Sequence, residues 1–202
     1  MEQQHRVLVV LAHPALEKSR VNAAMAKAAL EVPGVTVHDL YQTYPNFFIN
    51  KAHEQELVKA HKVIVFQHPL YWYSVPALLK EWMDIVFEYG FAYGRGSKGL
   101  IGQVLMNAWS AGSPHAELAG DANTDLIAQL MRPFEHTAQY CGMRYLPPHT
   151  LFNTGMLTPA QIADACSRYV DLLERLTTAV FLERNLESFA CLGDALEADA
   201  HG

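Results

Sequence analysis

The sequence predicts an α/β domain with a doubly wound, five-stranded parallel sheet in the order 2-1-3-4-5 and helices on both faces. Three observations predict it. The apolar runs Val7 to Ala12 and Lys62 to Gln67 are continuous rather than alternating, the mark of strands covered on both sides. Helix-forming stretches with their own start and stop signals separate the strand-like runs, so strand and helix alternate. Such units cross over right-handed, which lays the strands parallel and puts helices on the two faces.

Val7 to Ala12 is the first strand, and Val21 to Glu31 (VNAAMAKAALE) is the first helix, capped by Ser19 and stopped by Pro33 and Gly34. Val35 to Leu40 alternates as a second strand, His53 to His61 forms a short helix, and Lys62 to Gln67 is the third strand. Pro76 to Glu88 opens with proline in the first helical turn and puts Leu79, Trp82, Met83 and Val86 on one face. Gly90 to Gly102 is a glycine-rich connection, and Gln103 to Trp109 is the fourth strand. Leu126 to Cys141 is a helix, Met143 to Phe152 a fifth strand interrupted by Pro147 and Pro148, and Ala160 to Glu183 a long final helix. Residues 1–184 thus make one domain, followed by an acidic tail over 185–202.

Composition narrows the function. Half of the 202 residues are hydrophobic and 18% are charged, which fits a packed core and excludes a disordered chain or a coiled coil. The formal charge of -6 and pI near 5.9 leave no basic footprint for nucleic acid. Cys141, Cys166 and Cys191 are far apart with no CxxC, so a reduced, cytoplasmic setting is expected, without disulfides or a zinc site. No HExxH or other ligand cluster suggests a metal, and no apolar run is long enough to cross a membrane.

In this topology ligands bind beyond the carboxyl ends of the first, third and fourth strands. The first of those loops, LAHPALEKSRVN, has no glycine, but the start of the following helix offers free N–H groups and a partial positive charge, with Ser19 as a hydroxyl donor, Lys18 and Arg20 nearby and His13 at the strand end. A phosphate suits it. The plainer reading is a simple N-cap beside solvated cations. The second loop, Pro69, Leu70, Tyr71, Trp72 and Tyr73, places three aromatics in a row where they cannot all enter one core, so some should be exposed as a wall for a planar ring. The alternative is that Trp72 and Tyr73 cap the sheet against the Pro76 helix. The third loop, Ser110, Ala111, Gly112 and Ser113, lets a flat ligand approach the backbone, and His115 beyond it can move a proton near neutral pH. Phosphate at the first loop and a ring between the other two, without GxGxxG, point to FMN or the flavin half of FAD.

HP followed by SRVN, QHPLYWYSVPALLKEWMD, FAYGRG followed by GLIGQ, and YCGMRYLPP resemble the flavodoxin-fold NAD(P)H:quinone oxidoreductases, most nearly the ancillary quinone reductases of glutathione-gated potassium-efflux systems. The resemblance runs from about residue 6 to 175. It implies a homodimer that binds FMN, or FAD, and reduces quinones by two electrons, with NAD(P)H as hydride donor in a ping-pong cycle. It assigns His13, Ser19, Arg20, Val21 and Asn22 to the phosphate, Leu70 to Tyr73 to the isoalloxazine, Ser110 to Ser113 to the ring edge, and Tyr93 to the substrate pocket. Relatives usually carry TTGG where this chain has SAGS, and their tyrosine and histidine relay cannot both be placed, which leaves His115 as proton donor. The resemblance also implies a potassium-efflux transporter as partner, so the alternatives are a regulatory ancillary subunit and a flavodoxin-type electron carrier.

Overall fold

The computed structural model describes residues 4–119, 126–194 and 196. The strands are β1 (Val7–Leu11), β2 (Val35–Asp39), β3 (Val63–Pro69), β4 (Val104–Ser110), β5 (Arg144–Tyr145) and β6 (His149–Leu151). They pair parallel throughout, in the order β2-β1-β3-β4-β5, with β6 also paired to β4. The expected order is therefore present, with the fifth strand divided in two. Pro147 and Pro148 lack the N–H groups that a ladder needs, so pairing stops after Leu146 donates to the Leu105 carbonyl and resumes at His149.

The helices are α1 (Arg20–Ala29), α2 (Leu40–Thr43), α3 (Lys51–Lys59), α4 (Ala77–Val86), α5 (His115–Ala119), α6 (Leu126–Tyr140), α7 (Pro159–Leu176) and α8 (Ala179–Leu182). Strand side chains alternate between two cores. Val7, Val9, Val63 and Val65 pack with α1, α7 and α8, whereas Leu8, Val10, Ile64 and Phe66 pack with residues of α2 to α6.

Several helices depart from the sequence expectation, which has none at α5. The helix expected over His53 to His61 starts two residues earlier, because the Asn50 side chain accepts the His53 N–H at 3.2 Å and fixes the cap there. Leu40, expected to end a strand, begins α2, with Asp39 as its cap. The long final helix is two helices. Thr158 and Gln161 form a capping box at the start of α7, and the break falls at two threonines, where the Thr177 carbonyl accepts the His5 N–H at 2.7 Å and Thr178 caps α8. Beyond α8, Leu186 and Leu192 are fully buried against the α7 core, and Arg144 pairs with Glu187 at 2.5 Å, so this part of the tail packs on the domain.

Candidate functional site

At the carboxyl ends of β1, β3 and β4 lies a cleft of about 280 Å³, bounded by His13 and residues 18–22, by Pro69 to Tyr71, by Ser110 and Gly112, and by Thr154 and Gly155. Ser19 caps α1, its Oγ accepting the Asn22 N–H at 3.0 Å. The N–H groups of Arg20 and Val21, in the first helical turn, have no intrahelical partner. That turn holds no acidic residue, and the cations Lys18 and Arg20 sit at the positive end of the helix dipole. Such a helix start is suited to an anion. Arg20 is also fixed in place, since Nη2 donates to the Leu157 carbonyl at 2.8 Å.

A buried chain of hydrogen bonds holds the walls in register. The Tyr169 hydroxyl donates to Gln67 Oε1 at 3.2 Å, Gln67 Nε2 to the Asn22 carbonyl at 3.1 Å, and Asn22 Nδ2 to Ser110 Oγ at 2.9 Å. It ties α7, β3, α1 and β4 together behind the cleft. Asn22 Oδ1 is left buried with no partner among the described residues. His13 Nδ1 accepts the Ala15 N–H at 3.1 Å, which puts the ring proton on Nε2. Burial lowers its pKa, partly offset by Glu17 and Asp39, so His13 is a neutral donor at pH 7.

The second loop is a tight hairpin in which Tyr71 and Ser74 exchange two backbone hydrogen bonds at 3.0 Å. Its central residues, Trp72 at φ 50° and Tyr73 at φ 61°, occupy the left-handed region that glycine and asparagine prefer. Trp72 is 94% exposed and Tyr73 61% exposed. The alternative in which they cap the sheet is therefore overturned: the left-handed turn directs both rings to solvent. In the third loop, the Ala111 N–H donates to Leu151 and the Thr154 N–H to Ala111. A Cβ built on Gly112 meets no atom within 4 Å, so protein packing does not require glycine there and the space belongs to the cleft.

The structure brings His13, Ser19, Arg20, Val21, Asn22, Pro69, Leu70, Tyr71, Ser110 and Gly112 to one cleft. It does not bring Trp72, Tyr73, Ala111, Ser113, His115 or Tyr93 to the lining. His115 is exposed at the start of α5, its ring 4.9 Å from that of Phe152, and lines a separate cavity. Tyr93 packs between Tyr89 and Tyr140, with ring centroids 5.8 and 5.4 Å away. Sequence reasoning missed Gln67 and Tyr169 as supports, and Thr154 and Gly155 as lining. Gln67 carried a signal, a polar side chain closing an apolar strand.

A flavin mononucleotide fits these residues. The cationic helix start and Ser19 suit its phosphate, the unpartnered Asn22 Oδ1 can accept a ribityl hydroxyl, and Tyr71 beside the open space at Gly112 suits a ring.

This sheet order and the site at its switch point define a class. The chain belongs to the flavodoxin-like fold family, whose model matches residues 5–173. It is 41% identical over 180 residues to the glutathione-regulated potassium-efflux system ancillary protein KefG of Salmonella newport, covering 89% of this chain and 98% of that one. Among solved structures it is similar to general stress protein 14 of Treponema denticola in complex with FMN, at 37% identity and TM-score 0.79 over 85% of this chain and 99% of that one. It is also similar to an NADPH-quinone reductase from P. pentosaceus, at 34% identity and TM-score 0.71, covering 86% and 98% of the two chains.

Proposed function

We propose that the protein is an FMN-dependent NAD(P)H:quinone oxidoreductase acting by ping-pong. The observation that carries this reading is the meeting, in one cleft, of an anion-ready helix start with Tyr71, at the base of the exposed aromatic hairpin, and the open space at Gly112. The FMN complex and the NADPH-quinone reductase among similar structures support it. When bound, the flavin accepts a hydride from NAD(P)H and delivers two electrons to a quinone.

The chain's own residues bind and orient. Ser19, Arg20, Val21 and Asn22 take the phosphate, and Leu70 to Tyr73 take the ring along one side. Ser110, Ala111, Gly112 and Ser113 take its edge, where the backbone N–H of Gly112 stabilises negative charge as it develops. The compact cleft favours FMN over FAD. Trp72 and Tyr73, fully presented to solvent, are covered by a second copy in a homodimer, and Tyr93 then lines the acceptor pocket between copies. The protein works in the cytoplasm.

FMN titration by fluorescence quenching tests the cleft. Ser19→Ala with Arg20→Gln is expected to weaken FMN binding at least about tenfold, roughly 1.4 kcal/mol, while leaving the circular dichroism unchanged. Unchanged affinity would remove the phosphate assignment.

A second reading rests on the KefG similarity: the protein also docks on a potassium-efflux transporter as an ancillary subunit. Co-purification with such a transporter from the same cell, using flavin-loaded protein, is expected; an empty pull-down counts against it.

A further inference from the structure

The opposite pole of the sheet carries a cavity that the cofactor reading leaves unused. It lies at the amino ends of β1, β3 and β4, has a volume of about 740 Å³, and is lined by Arg6, Lys59, Lys62 and Lys98 with His5 beside them. Among the described residues no carboxylate lines it, in a chain whose 21 acidic residues outnumber its 15 lysines and arginines. Lys59 is paired with Glu56 at 2.7 Å, but Arg6, Lys62 and Lys98 have no ion-pair partner among the described residues.

These charges act on one another. Burial lowers the pKa of His5 and of His61, and the charges of Lys62 and Arg6, respectively, lower them further. The Lys62 ammonium is anchored on the Gly102 carbonyl. Gly102 has φ +77°, the left-handed region that favours glycine, and this turn presents its carbonyl to the ammonium. Both ends of the Gly90 to Gly102 connection, away from Tyr93, form one rim. Apolar surface is also available at Ile101, which is exposed.

A concave site of several cations focuses positive potential and suits a group that offers several anionic oxygens at once. Its volume falls in the range of roughly 300–1,000 Å³ typical of small-molecule pockets. We propose that this pole binds a multiply charged organic phosphate of nucleotide size, at a site separate from the cofactor cleft. The cations gather around one pocket with the Gly99 and Gly102 backbone rather than spreading over a broad face, which favours a discrete soluble molecule over an anionic membrane.

The test is an amide NMR titration of the FMN-loaded full chain with ADP and with pyrophosphate at about 0.15 M salt. Saturable shifts at Lys62, Gly99 and Gly102 are expected, weakened at least about tenfold in Lys62→Gln with Lys98→Gln, with FMN retained. Shifts confined to Ser19 to Asn22, equal affinity in the variant, or binding only to vesicles of anionic lipid would each overturn the proposal. Should the chain fail to hold FMN, the same titration of the flavin-free chain still reads the two poles separately.

Discussion

Trp72 and Tyr73 show what single residues reveal here. An L-residue in the left-handed region costs about 1–2 kcal/mol, and two in succession are kept only where another demand holds them. Trp72→Gly and Tyr73→Gly are each expected to raise the free energy of unfolding, read from urea titration, by about 1 kcal/mol, while weakening FMN binding. Loss of both stability and binding would show that the rings support the fold instead. The aromatic run was legible in the sequence, and so was the exposure of some of its members. The strain was not, because YWYS lacks the glycine or asparagine that normally signals such a turn. Asn22 was legible by resemblance, but its links to Ser110 and Gln67 depend on strand register, which no local pattern encodes.

Among the elements, the ends of β3 and the start of β6 bury charge-capable groups. His68 and His149 are both pushed down to about 4 by burial. His68 is held between the Pro69 carbonyl, 3.0 Å from Nδ1, and Asn107 Nδ2, 3.1 Å from Nε2, and Tyr145 in turn donates to Asn107 Oδ1 at 2.8 Å. From pH 6.5 downward the unfolded chain takes up protons on both histidines, whereas the native fold resists until about 4. Their contribution is thus complete above 6.5 and lost as pH falls toward 4, on the order of 3 kcal/mol each. Unfolding midpoints are expected to stay level between about pH 7 and 8 and to fall below about 6, and His68→Gln with His149→Gln to flatten that fall. An identical profile in the double variant would contradict the assignment. Buried strands and capped helices were legible from apolar runs and cap residues. The break at Thr177 was not, because it depends on a hydrogen bond from His5, far away in sequence.

For the whole molecule, alternation of strand and helix was enough to give the sheet order, and the order was enough to name the three loops that carry the cleft. The tail was not legible. Its acidic character suggested a separate segment, yet Leu186 and Leu192 complete the core beside α7. Presentation of Trp72 and Tyr73 on one surface gives the proposed homodimer a place to form, and an isologous pairing there would bring two clefts into one assembly. The most direct measurement of the central claim is the visible spectrum of FMN-loaded protein under anaerobic conditions, on adding NADPH and then a quinone. Bleaching by NADPH and full recovery with quinone is the predicted result; a flavin spectrum that NADPH leaves unchanged would contradict the reductase assignment and favour an electron carrier.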